Sequence, residues 1–269
     1  MLRGWLDLNS LGPMSLSREL SLSGPWAWYH GAHLLWQATE EVKRSTASAA
    51  SPTLHPLPFF PGFLCYGQAM ADAPTPDDKT PFRRNAKAHR AVLASSAGGD
   101  APERLKEAFM AARGGFALAL GAVVAAYWPM EDEADPRALM TALADAGFRI
   151  ALPVVTGAAR PLVFRRWEPG AVLVPGRFGT QEPDEAADVL VPALVLVPLL
   201  AFDDAGWRIG YGGGFYDRTL EALRGSGSVT AIGVAFAGQQ TASVPHGEHD
   251  QPLDGIITEA GFIKTPVGA

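Results

Sequence analysis

A single cysteine, Cys65, serves the whole chain of 269 residues. No internal disulfide and no cysteine-rich metal site can form, which fits a reducing, cytoplasmic setting. Positive charge is also short: 22 Lys and Arg against 28 Asp and Glu leave a formal charge of -6. That balance argues against nucleic acid or an anionic membrane as the main partner. No apolar run is long enough to span a bilayer, and the opening residues lack a signal pattern. With 48% hydrophobic and 19% charged residues, the chain can bury a sizeable core in one large domain or two small ones.

What the chain does hold is a glycine cluster in unusual company. An apolar run over residues 194–202 predicts a buried strand, and Asp203-Asp204-Ala205-Gly206 reads as a turn. A short strand, Trp207-Arg208-Ile209, then leads into Gly210-Tyr211-Gly212-Gly213-Gly214-Phe215-Tyr216-Asp217. A helix follows, with Leu220 and Leu223 on its apolar side. Glycines just before a helix N-terminus let backbone amides close around an anion, and the helix dipole favours negative charge there. Asp217 opposes a bare phosphate but suits one that arrives with a divalent metal. The loop is neither a Walker loop, lacking the Lys-Ser or Lys-Thr, nor a dinucleotide fingerprint. A tight turn is the plainer alternative. It would not need the flanking Arg208 and Arg218 or the aromatics Tyr211, Phe215 and Tyr216.

The first seventy residues read differently from the rest. They hold Trp5, Trp26, Trp28 and Trp36 without sustained helical or strand periodicity. Met70 opens a conventional polar lead-in, with Asp77 or Asp78 placed to cap a helix beginning at Lys79. The expectation is a natural start at Met70, with residues 1–69 a non-native or poorly ordered extension and residues 70–269 a single domain. A genuine segment that docks its tryptophans on the core is the competing reading. Helices are predicted over residues 79–93, 102–112 and 136–146. Strands are predicted over residues 122–127, 149–155, 162–167, 194–202 and 229–236, with a last one near 255–259. Apolar strands separated by helices predict a three-layer α/β/α sandwich with a largely parallel central sheet. Ligands on such sheets collect at the carboxyl ends of the strands.

Lys79, Arg83 and Arg90 project from nearly one face of the first helix, either as a solvated basic stripe or as an anion site. Asp217 is a helix cap or a metal ligand, and Asp250 a turn residue or a metal ligand. His249 is read as a surface turn residue, because magnesium prefers oxygen.

The run RIGYGGGFYD with Arg218 resembles the signature of the 5-formyltetrahydrofolate cyclo-ligase (5,10-methenyltetrahydrofolate synthetase) family. Lys79-Thr80-Pro81-Phe82-Arg83 with Arg90 resembles that family's opening helix, with Phe82 where Leu is common. Tyr127-Trp128-Pro129 through Glu133 and Asp135, the turn Gly179-Thr180-Gln181-Glu182-Pro183, and Gln239, Pro245, His249-Asp250 and Leu253-Asp254 resemble later segments in order. The resemblance spans about residues 79–260.

It implies ATP-dependent cyclisation of 5-formyltetrahydrofolate to 5,10-methenyltetrahydrofolate, with release of ADP and phosphate, on a fold shared with sugar-phosphate isomerases and CoA-transferases. It implies that Lys79, Arg83 and Arg208 join the run from Ile209 and Gly210 through Tyr211, Gly212, Gly213 and Gly214 to Phe215 and Tyr216 around ATP. Lys79, Arg208 and Asp217 become the catalytic residues. Trp128 and Glu133, with Tyr211, Phe215 and Tyr216, face the folate. Asp217 and Asp250 hold Mg2+, and Asp217→Ala is expected to abolish turnover with the fold intact. The implied partners are small molecules only, with no nucleic acid or membrane, and the chain is expected to be a cytoplasmic monomer. Two alternatives stay open: a non-catalytic nucleotide- or folate-binding paralogue, and a phosphate-ester isomerase on a similar fold.

Overall fold

The computed structural model describes residues 78–266, so the expectations for residues 1–69 and for Asp77 lie outside the described residues. In chain order come helices α1 (Thr80–Ser96) and α2 (Ala101–Ala112), strand β1 (Val123–Ala125), helix α3 (Arg137–Asp145) and strand β2 (Arg149–Val154). Strands β3 (Val163–Trp167), β4 (Val174–Pro175), β5 (Gln181–Glu182), β6 (Val189–Leu190) and β7 (Leu194–Pro198) follow. The chain continues through β8 (Ala201–Phe202), β9 (Arg208–Ile209) and helix α4 (Phe215–Ser226). It closes with β10 (Thr230–Val234), β11 (Gly255–Thr258) and β12 (Gly261–Lys264).

Side chains alternate across the central strands, and that alternation sets the layers. Val124 in β1, Ile150 and Leu152 in β2, and Leu194 and Leu196 in β7 point to one face. There they meet Leu105 and Phe109 of α2 and Leu139, Met140 and Leu143 of α3. Val123 and Ala125, Ala151, and Val195 and Val197 point to the other face, against Leu220 of α4. Both faces of the sheet are therefore covered, which explains why the strands read as continuous apolar runs rather than alternating ones. Burying each such Leu or Ile contributes about 1.5–3 kcal/mol.

The eight strands of the main sheet lie in the order β12-β11-β10-β7-β1-β2-β3-β6. Strands β11, β10, β7, β1 and β2 are mutually parallel. The edges are antiparallel: β12 on one side, β3 and β6 on the other. The largely parallel three-layer expectation holds in the centre, while antiparallel β12 and β6 went unforeseen.

One predicted strand is corrected. The apolar run over residues 194–202 breaks after Pro198, and β8 leaves the sheet to pair antiparallel with β9. The buried side-chain amide of Gln239 donates to the carbonyls of Leu199 and Leu200 at 2.9 and 3.1 Å, satisfying the two acceptors at the break. Hydrophobicity alone does not reveal the bend, because both halves of the run are buried.

Candidate active site

The break swings β9 and the glycine loop over the carboxyl end of the parallel strands. Gly214, at φ 64, is the N-cap of α4. Gly212 lies at φ 97, and a Cβ there would sit 3.2 Å from the Arg83 guanidinium carbon. Glycine thus permits both the backbone conformation and the close approach of α1. Arg83 Nε donates to the Gly210 carbonyl at 3.2 Å. Arg218 donates to the Gly213 carbonyl at 2.6 Å and lies over the Phe215 ring. α1 is seated by Phe82 and Ala86, which pack on Leu200, Ile209 and Val244. The helix begins at Thr80 rather than at Lys79, which holds the N-cap position without a side-chain cap, and the Asp78 carboxylate accepts the Thr80 N–H at 2.9 Å.

Both candidate metal ligands are engaged with cations. Asp217 is not the helix cap; it stands in the first turn of α4, where its Oδ1 accepts from Arg208 Nη2 at 2.7 Å and from the Gln251 N–H at 3.1 Å. Arg208 is buried, and burial pulls its guanidinium below the usual arginine range. Removing Asp217 would leave that buried cation the Gln251 carbonyl but no ion-pair partner among the described residues, a cost to set beside the expectation of an undisturbed fold in Asp217→Ala. Asp250 Oδ2 accepts from Lys79 and, at 2.6 Å, from the Gly247 N–H. The second oxygens, Asp217 Oδ2 and Asp250 Oδ1, enter no hydrogen bond among the described residues. They are hard carboxylate donors, the chemistry magnesium takes when phosphate and water complete its shell. Among the described residues no group of three or more His, Cys, Asp or Glu is arranged to hold a metal without such help.

The opposite wall follows β1. The Tyr127 hydroxyl donates to the Ala134 carbonyl, and the Met130 N–H donates to Glu133 Oε2 at 2.9 Å, fixing the 127–134 turn. Burial pushes the Glu133 carboxyl above the usual range, and the Met130 N–H and the Arg90 cation pull it back only in part. Trp128 packs against Trp167, with ring centroids 6.3 Å apart. The neighbouring acids separate cleanly: Glu131 pairs with Lys87, Asp132 with Arg90, and Asp135 accepts the Arg137 N–H at the start of α3.

These pieces line one cavity of about 1080 Å³. Lys79, Arg83 and Arg208, the glycine loop from Ile209 to Asp217, Trp128, Glu133 and Asp250 all border it. That exceeds the roughly 300–1,000 Å³ of a single small-molecule site and suits two ligands side by side.

Sequence reasoning passed over the third wall. The β4–β5 hairpin brings Phe178 into the cavity, its ring centroid 5.9 Å from that of Phe215. Phe178 is 73% exposed and sits at φ 61, a left-handed conformation costly for a bulky side chain. Glu182, within the 179–183 stretch expected to form a turn, is buried; it accepts from the Thr180 hydroxyl at 2.9 Å and the Val155 N–H at 3.3 Å. It pins the hairpin to the end of β2. The signal was present in the Gly179–Pro183 turn, but no local pattern reveals a carboxylate's distant partner.

A sequence profile of the 5-formyltetrahydrofolate cyclo-ligase family matches residues 77–259. The chain belongs to the 5-formyltetrahydrofolate cyclo-ligase family. It is 34% identical to the 5-formyltetrahydrofolate cyclo-ligase of Mycolicibacterium smegmatis over 168 residues, 58% of this chain and 85% of the relative. It is 36% identical to the Escherichia coli cyclo-ligase over 140 residues, 50% of this chain and 76% of the relative. The solved 5,10-methenyltetrahydrofolate synthetase of Aquifex aeolicus superposes with a TM-score of 0.59 at 26% identity, covering 71% of this chain and 94% of that one. The Mycoplasma pneumoniae synthetase shares the fold at 20% identity and a TM-score of 0.52, covering 68% of this chain and 99% of that one. The region matched by the cyclo-ligase profile contains every wall of the cavity.

Proposed function

We propose that this chain converts 5-formyltetrahydrofolate and ATP into 5,10-methenyltetrahydrofolate, ADP and phosphate. The observation that carries the reading is the single cavity whose walls divide by chemistry. One side offers glycine-loop backbone and the cations Lys79 and Arg83; the other offers Trp128, Glu133 and the aromatic Phe178.

A formyl oxygen is a poor leaving group. Its attack on the γ-phosphorus breaks the bond to ADP and leaves an imino-phosphate. Nitrogen 10 of the folate then bonds to the formyl carbon, loses its proton, and phosphate departs. The protein has little covalent work to do; it aligns the formyl oxygen with the γ-phosphate and neutralises developing charge. Lys79 and Arg83, with the amides around Gly212 and Gly213, bind the phosphates, Arg83 by its planar fork and Lys79 as a mobile point charge. Arg208 acts through Asp217, which it holds in place. Asp217 and Asp250 would hold the magnesium that arrives with ATP, and the ion would supply charge neutralisation on the phosphate oxygens. Glu133 receives the hydrogen-bond donors of the pteridine ring, and Trp128 gives the ring a face to pack on.

The cavity and the family both point to small-molecule substrates. Among the described residues no helix is long and apolar enough to cross a membrane. The test is the ATP- and magnesium-dependent appearance of methenyltetrahydrofolate absorbance from 5-formyltetrahydrofolate. ATP binding with no absorbance change would leave the paralogue reading in its place.

A further inference from the structure

The buried residue of α1 is a cation. Arg90 has no exposed surface, and a guanidinium persists away from water only when partners hold it. Its Nη2 is well served, donating to Asp132 Oδ1 at 2.7 Å and to the Tyr211 hydroxyl at 2.6 Å. Its Nη1 is not. That nitrogen stands 3.6 Å from Glu133 Oε1, within ion-pair range but beyond hydrogen-bond length. Both atoms are buried and neither makes a full hydrogen bond, although the Tyr211 hydroxyl stands near enough to the Glu133 carboxylate to favour its charge. A buried donor facing a buried acceptor across such a gap is a bond left unmade, and native proteins leave few of these without a purpose.

The positions of the three partners give the gap its meaning. Asp132 and Glu133 belong to the wall that follows β1, whereas Tyr211 belongs to the glycine loop. One guanidinium therefore touches both halves of the cavity, and it has no solvent into which to retreat. If the loop draws in around phosphate, Tyr211 moves with it, the guanidinium follows the hydroxyl, and the separation of Nη1 from Glu133 Oε1 must change.

We propose that Arg90 is a positioning residue that couples the two substrate halves, aiming Glu133 at the reduced folate while it holds Tyr211 and the glycine loop at the nucleotide. This inference rests on the cyclo-ligase reading and extends it: the two substrates bind cooperatively, and the linkage runs through Arg90. Such coupling is reciprocal, and its usual range is about 5–150-fold in affinity. A residue that merely stabilises the fold would weaken each ligand without altering the effect of one on the other.

The test is calorimetric titration of the full chain with 5-formyltetrahydrofolate, with and without a non-hydrolysable ATP analogue and magnesium, and the reverse titration. The wild-type protein should bind each ligand at least about fivefold more tightly when the other is present. In Arg90→Lys and Tyr211→Phe that ratio should fall to within about twofold of unity. Tyr211→Phe removes only the hydroxyl that accepts from Arg90 and keeps the ring beneath the guanidinium, so it tests the hydrogen-bonded link even where an Arg90 variant fails to fold. A wild-type ratio of one, or a wild-type ratio retained in Tyr211→Phe, overturns the coupling. Failure of the wild-type protein to bind either ligand overturns the cyclo-ligase reading itself, and the coupling with it.

Discussion

The ammonium of Lys79 and the carboxylate of Asp250 form an ion pair across 171 positions of sequence. Burial works to raise the Asp250 carboxyl, but Lys79, the Gly247 N–H and Arg208 outweigh it, and the group lies below the usual carboxylate range. A lowered carboxyl adds stability above its unfolded value of 3.8 and loses it as pH falls through the folded value. Lys79→Met removes that contribution together with a phosphate-binding cation. Acid unfolding, followed by circular dichroism, should then begin at higher pH than in the wild-type protein. The KM for ATP should rise about tenfold to a hundredfold, the worth of one charge-assisted hydrogen bond. The KM for folate should change little.

Asp217 calls for two variants, because it serves the buried Arg208 as well as the site. Asp217→Ala should cost about 1.5–3 kcal/mol, lowering the thermal midpoint by roughly 3–12 °C, and abolish turnover. Asp217→Asn keeps an acceptor for Arg208 and the Gln251 N–H, so it should recover most of the midpoint but not the turnover. Near-normal turnover of Asp217→Asn at saturating magnesium would sink the metal assignment.

Glu133 should govern the acid side of the pH profile. Burial raises its carboxyl, so with falling pH it takes up a proton earlier than an ordinary glutamate and loses its strength as an acceptor. The acid limb of kcat/KM for 5-formyltetrahydrofolate should therefore lie above the usual range near 4.5. Glu133→Gln should lower kcat/KM and flatten that limb. A limb that persists unchanged in Glu133→Gln would assign it to another group.

Phe178 tests the third wall. Phe178→Ala should raise the KM for folate about tenfold while leaving the KM for ATP nearly unchanged, as expected for loss of one aromatic contact. Phe178→Gly should show the same kinetic loss yet gain stability, because a left-handed residue with a side chain carries about 1–2 kcal/mol of strain that glycine lacks. An equal rise in both KM values would remove Phe178 from the folate side.

Much of this was legible in the sequence, and the remainder was hidden for definite reasons. The glycine loop, the basic helix and the central strands announce themselves by local spacing, so their existence could be read directly. The bend after Pro198 could not, since it depends on Gln239 reaching carbonyls 40 and 39 positions away. Nor could the place of Arg90. On a helical wheel it joins Lys79 and Arg83, yet the structure sends it to Asp132, 42 positions on, and to Tyr211, 121 positions on. The anchoring of the β4–β5 hairpin by Glu182 was hidden in the same way. Local pattern identifies elements, whereas a buried charge is explained only by its partner.

Helix α1 itself has an unusual means of attachment. It buries Arg90, lays Leu93, Ala94, Phe82 and Ala86 only partly against the core, and adds polar contacts from Arg83, Lys87, His89 and Arg90. Two of the contacts that fasten it, Arg83 to Gly210 and Arg90 to Tyr211, close loops of 127 and 121 residues, and long closures of that kind form late in folding. Such a helix is the natural first unit to open when the remainder stays folded. Hydrogen exchange should find its amides the quickest among the helices to trade with solvent, and quicker still in high salt, where its partly exposed ion pairs are screened. The cavity would then lose Lys79 and Arg83 while the sheet remained intact.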